Sequence, residues 1–171
     1  MNGPGKILVV DDEPDALENC RRILSRHRYD CFVEADPSRA IGVIEREHPR
    51  LVLTDLRMPT LDGISLLKAI KRVDPGIQVV LLTAHATVQT AVTSMRYGAF
   101  DYITKPFTST DLLQVARRAF GEDGAGAVTN AGTEEARRAL DQARTGKRAG
   151  FARVIGGRRV TRGVGPCQAG Q

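Results

Sequence analysis

Hydrophobic positions along the first 120 residues follow two alternating rhythms. Short apolar runs occupy residues 7–10, 31–35, 51–54, 77–82 and 100–104, and each reads as a buried strand. Between them, apolar residues recur every three or four positions, which is the helical period. Leu17, Cys20 and Leu24 mark the first such segment, Ile41 and Ile44 the second, and Ile64, Leu67 and Ile70 the third. Val88, Ala91, Val92 and Met95 mark the fourth, and Leu112, Leu113, Ala116 and Phe120 the fifth. Pro14 suits the first turn of a helix, and Asp36-Pro37, Thr87 and Ser109 or Thr110 supply further start signals.

Near-continuous apolar strands separated by single helices predict a parallel sheet covered on both faces. Five such units joined by right-handed crossovers give a doubly wound α/β sandwich of flavodoxin-like type. Ligands of such sheets bind beyond the carboxyl ends of the strands, where the strand order reverses. Chemistry is therefore expected at that rim.

Composition narrows the picture. Hydrophobic residues make up 42% of the 171-residue chain, and Trp is absent, so the core must be largely aliphatic. No apolar run approaches the roughly 20 residues of a membrane span, and residues 7–10 are too short for a secretory signal. Cys20, Cys31 and Cys167 show no metal-binding spacing and leave one thiol over in any disulfide scheme. The expectation is a reduced, cytoplasmic protein in which Cys20 and Cys31 serve as small core hydrophobes.

Charge is divided unevenly. Residues 121–171 hold nine Lys and Arg against five Asp and Glu, which leaves sixteen against fifteen for residues 1–120. The same stretch carries eleven of the seventeen glycines. The net charge of +5 thus belongs mainly to the tail, which reads either as a solvated extension or as a basic segment for nucleic acid. Residues 1–120 form one expected domain, 121–150 a linker with a short helix at 134–144, and 151–171 a tail.

The strand ends carry the candidate chemistry. The first strand runs into Asp11-Asp12-Glu13, the third into Asp55, the fourth into Thr83, and the fifth into Lys105-Pro106. Each residue alone has an ordinary explanation as a strand terminator or a solvated charge. Their convergence on one edge favours a joint task. Clustered carboxylates repel, and a hard divalent ion such as Mg²⁺ relieves them through oxygen ligands and retained waters. Asp55 then stays ionised and can attack a phosphoryl group. The Lys105 ammonium would share the developing charge, and the Thr83 hydroxyl would meet the product.

Four motifs stand in register: Val9-Val10-Asp11-Asp12-Glu13, Leu53-Thr54-Asp55-Leu56-Arg57-Met58-Pro59 with Asp62-Gly63, Leu81-Leu82-Thr83-Ala84, and Gly98 through Phe107. In this order and spacing, residues 6–120 resemble a response-regulator receiver domain, the phosphoacceptor of two-component signalling. The resemblance implies a CheY-like (βα)5 fold with Asp55 as the phosphorylated residue and a kinase phosphohistidine as donor. It implies Mg²⁺ held by Asp12 directly, Asp11 mostly through water, Asp55, and the Arg57 backbone carbonyl. It makes Thr83 the switch hydroxyl, Tyr102 the switch aromatic, and Lys105 a phosphoryl contact whose bond to Pro106 is cis. Phosphorylation would draw Thr83 inward and let Tyr102 pack into the vacated space. That repacks the face of the fourth helix, fifth strand and fifth helix, where a homodimer is expected. Arg57 and His85 are placed where side chains would tune the phosphate lifetime.

Residues 83–92 look most like NtrC-type receivers, and residues 151–156 are similar to the start of a sigma-54-activating ATPase. No G-x-x-x-x-G-K-[ST] phosphate loop follows and no helix-turn-helix is legible. The tail therefore reads as a truncated ATPase start, a frame-altered remnant or the extension of a single-domain regulator. The expected role is a switch controlling an output such as transcription, catalytic only toward its own phosphorylation and dephosphorylation. Two other readings stay open. One is an aspartyl-nucleophile phosphatase, which would want a second Asp where Arg57 stands. The other is a pseudo-receiver that only binds partners.

Overall fold

The computed structural model describes residues 5–121. The linker beyond Gly121, the helix expected at 134–144, the tail at 151–171 and Cys167 lie outside the described residues. Five strands and five α-helices alternate: β1 Lys6–Val10, α1 Pro14–Arg26, β2 Asp30–Glu34, α2 Ala40–Glu47 and β3 Leu51–Asp55. They continue as α3 Gly63–Val73, β4 Gln78–Thr83, α4 Val88–Arg96, β5 Asp101–Thr104 and α5 Ser109–Phe120. All strands run parallel in the order β2-β1-β3-β4-β5. The predicted doubly wound sheet is thus present, and its order reverses between β1 and β3.

Strand alternation sorts the core into two layers. Leu8, Val10, Val52, Val79 and Leu81 pack with Ala40, Ile44, Leu66, Leu67 and Ile70, so this face lies under α2 and α3. Ile7, Val9, Leu53, Leu82 and Ile103 pack with Leu17, Leu24, Leu112 and Ala116 from α1 and α5. Both faces being covered explains why the strands read as unbroken apolar runs. Cys20 is buried and Cys31 half-buried among this second layer, and burial pushes their thiols up to about 11 and about 12.

The element boundaries differ from the sequence reading by local chemistry. Asp36 caps a 3-10 turn over Pro37–Arg39, and α2 starts only at Ala40. The last helix starts at Ser109, one of the two starts the sequence offered, and its cap is Thr108, which exchanges backbone hydrogen bonds with Asp111 as a capping box. Strand β4 extends through Thr83 and β3 through Asp55, so both residues belong to the ladder.

Candidate functional site

The register brings the reactive residues level. Val10 pairs with Thr54 on the neighbouring strand, so Asp11 and Asp55 leave β1 and β3 side by side at the switch in strand order. Thr83 pairs with Thr104, which places Lys105 one step beyond. Lys105 Nζ donates to Asp11 Oδ2 at 2.7 Å and lies 2.9 Å from Asp55 Oδ1. One ammonium thus bridges the two carboxylates. Asp11 is 2% exposed and Asp55 7%, so water screens this triad weakly. Burial alone would lower the Lys105 pKa. Hydrogen bonds and charge from Asp11 and Asp55 outweigh it and hold the ammonium above its ordinary value.

The remaining carboxylate oxygens are also engaged. Asp55 Oδ2 accepts the Arg57 N–H at 2.6 Å, and Asp11 Oδ1 accepts the Glu13 N–H at 2.9 Å. The main chain behind Asp55 is equally constrained. Leu56 N–H donates to the Leu82 carbonyl, and the Thr54 hydroxyl donates to the Asp55 carbonyl. A side-chain carbon on Gly63 would collide with that same Asp55 oxygen. The start of α3 can therefore close on the strand end only because residue 63 is glycine. Asp62 caps the helix through Ser65, and the Lys105–Pro106 bond is cis as the sequence reading expected.

The proposed metal ligands are not gathered as a closed cage. Among the described residues, no three His, Cys, Asp or Glu side chains converge in metal-binding geometry. Lys105 fills the gap between Asp11 and Asp55, while Asp12, one residue further, is exposed at the rim. Arg57 and His85 are exposed at the same end of the sheet.

Thr83 is buried, and its Oγ1 accepts the His85 N–H at 3.1 Å. By strand alternation Thr83 belongs with Val79 and Leu81, on the α2–α3 face, whereas Asp55 follows Leu51 and Leu53 toward α1 and α5. Tyr102 is only 2% exposed, and its hydroxyl meets Thr90 Oγ1 at 2.9 Å. In this structure the ring lies inside. Thr90 and the buried Arg118–Asp101 ion pair (2.7 Å) escaped the sequence reading. Thr90 stood three residues after Thr87, the spacing of a capping box, which was the available signal.

A family model for the response regulator receiver domain matches residues 7–117. The regulatory protein AtoC of Escherichia coli K12 is 38% identical over 123 residues, covering 70% of this chain and 26% of AtoC. The transcriptional regulator NtrC of Proteus hauseri is 36% identical, covering 67% of this chain and 24% of that protein. This chain therefore spans about a quarter of the length of these two relatives. The receiver domain of NtrX from Brucella abortus superposes with a TM-score of 0.64 at 39% identity, covering 68% of this chain and 99% of that one.

Proposed function

The chain belongs to the response regulator receiver domain family, and from that premise we propose that Asp55 accepts a phosphoryl group from a kinase phosphohistidine. Receivers of two-component systems take their signal from histidine kinases. The observation that carries the assignment is Lys105 bridging Asp11 and Asp55 at the β1–β3 switch point.

In the transfer, an Asp55 carboxylate oxygen forms the new P–O bond as the P–N bond to the donor imidazole breaks, and the imidazole keeps the electron pair. Lys105 stands beside Asp55 Oδ1, where its ammonium meets negative charge on the phosphoryl oxygens. The Arg57 N–H holds Asp55 Oδ2 and orients the carboxylate. The donor set fits Mg²⁺, which takes oxygen ligands, keeps several waters and needs only one or two carboxylates rather than a closed cage. Asp11, Asp12, Asp55 and the Arg57 carbonyl would hold it. When bound, the ion neutralises charge on the transferring group.

The output is carried over from the relatives. AtoC and NtrC are named as regulators, and we assign this receiver to control of transcription through the α4–β5–α5 face, including self-association there. Catalysis extends only to its own phosphorylation and dephosphorylation. No described helix is long and apolar enough to cross a membrane, in keeping with action in the cytoplasm.

The test is incubation of the full chain with acetyl phosphate and Mg²⁺, followed by intact mass. One base-labile phosphate is expected on wild type and none on Asp55→Asn. Wild type that gains no mass refutes the assignment, and steady turnover of a small phosphate ester would restore the phosphatase reading.

A further inference from the structure

Residue 54 is an odd place for a hydroxyl. Strand β3 is buried along its whole length, and Thr54 is fully inaccessible. It stands level with Val10 on β1 and Leu81 on β4 and shares a face with Val52. A valine of nearly the same shape would fill that position without burying a polar atom, which is costly unless it is hydrogen-bonded. The hydroxyl does find an acceptor, the carbonyl of the next residue, Asp55, at 3.1 Å.

That carbonyl belongs to the first of two peptide groups that carry the chain away from the strand end. A peptide group is planar, so holding both its oxygen and its N–H fixes its tilt. In the Asp55–Leu56 group, Thr54 holds the oxygen, and the N–H donates to the Leu82 carbonyl at 3.0 Å. In the Leu56–Arg57 group, the Gly63 N–H holds the oxygen at 2.9 Å. Its own N–H is the one that binds Asp55 Oδ2 at 2.6 Å. The two groups share the Leu56 Cα, so a tilt of the first swings the second. The Arg57 N–H then moves, and the carboxylate moves with it. Apart from the reactive carboxylate itself, Thr54 supplies the one side chain in this set of bonds.

We propose that Thr54 is a positioning residue for phosphoryl transfer: its hydroxyl fixes the tilt of the Asp55–Leu56 peptide group and, through the Arg57 N–H, the aim of the Asp55 carboxylate. The part that concerns transfer rests on the function proposed above. By strand alternation Thr54 belongs to the α2–α3 face, opposite the side taken by Asp55. It therefore acts only through the main chain.

Two substitutions in the full chain separate the hydroxyl from the rest of the side chain. Phosphorylation by acetyl phosphate and Mg²⁺ is followed by intact mass. Thr54→Val keeps the shape and loses the donor, and its initial rate should fall roughly tenfold, since small misplacements of reacting groups are costly. Thr54→Ser keeps the donor and loses a buried methyl. It should lower the urea midpoint yet stay within about twofold of the wild-type rate. Amide exchange read by NMR, with no phosphate present, supplies the second readout. The Leu56 and Arg57 amides should exchange roughly fivefold faster in Thr54→Val, the scale of one hydrogen bond, and as in wild type in Thr54→Ser. A phosphorylation rate that follows the urea midpoint across the three proteins overturns the proposal, since Thr54 would then act through stability. A wild-type rate in Thr54→Val, or unchanged Leu56 and Arg57 amides there, overturns it as well. Wild type that takes no phosphate removes the role in transfer together with the proposed function, while the exchange pattern still decides whether the hydroxyl holds the turn.

Discussion

Helices α3 and α4 are neighbours in sequence and similar in length, yet they are fastened to the sheet by different physics. Helix α3 buries Leu66, Leu67 and Ile70, each fully inaccessible. At about 1.5–3 kcal/mol for each buried aliphatic side chain, that face is strongly anchored. Helix α4 fully buries only Ala91 and Ser94, adds a half-buried Met95 against the core, and relies further on Thr87, Thr90 and a Lys68 ammonium lying 4.0 Å from the Tyr97 ring centroid. Helix α3 also begins against the carbonyl of Asp55. The helix that braces the reactive carboxylate is therefore the rigid one, and the helix next to Tyr102 is the loose one. A switch needs both: a fixed nucleophile and an element whose displacement costs little.

The largest test of this contrast lies in the core. Leu67→Ala is expected to cost about 2–5 kcal/mol in urea unfolding, whereas Met95→Ala on α4 should cost roughly 1 kcal/mol. Equal losses would erase the difference between the helices.

Lys105→Met probes the rigid side electrostatically and should cost about 1.5–3 kcal/mol at neutral pH. Because the Lys105 pKa is raised in the folded state, its stabilisation is complete below the ordinary value of 10.5 and fades as pH climbs through the folded value. The gap between wild type and Lys105→Met in urea midpoint should stay flat through neutral pH and shrink only above 10.5. A gap that closes near neutrality would show that Lys105 is not held by the two carboxylates.

Gly63→Ala should cost about 1–3 kcal/mol by overpacking, and it should also slow phosphorylation by acetyl phosphate, because the collision is with the Asp55 main chain. Lost stability at an unchanged rate would mean that α3 does not position the nucleophile. The smallest effect belongs to Tyr97→Leu, about 0.5–1 kcal/mol from the exposed cation–π contact. It should appear as faster exchange at the end of α4 with little change in the urea midpoint.

Much of the site was legible because each reactive residue ends an apolar run. A strand buried on both faces has little reason to finish on a carboxylate unless its end is used, and Asp11, Asp55, Thr83 and Lys105 all finish strands. The caps at Thr87 and Asp36-Pro37 followed from local chemistry. Thr108 was missed because neighbouring hydroxyls compete on paper, and only the Asp111 partnership three residues on selects among them. Asp12 was grouped with Asp11 by adjacency, yet only Asp11 enters the buried triad with Lys105.

Local pattern alone determined the strand–helix alternation, the doubly wound class and the set of groups at the reactive rim, since periodicity and strand ends are written within a few residues. Tertiary structure decided which of those groups touch. Lys105 reaches Asp11 across 94 residues, Thr90 finds Tyr102 across twelve, and Gly63 meets the oxygen of Asp55. Each contact depends on strand register and on helix placement, which short-range preferences do not encode. Only assembly of the whole sheet sets those distances.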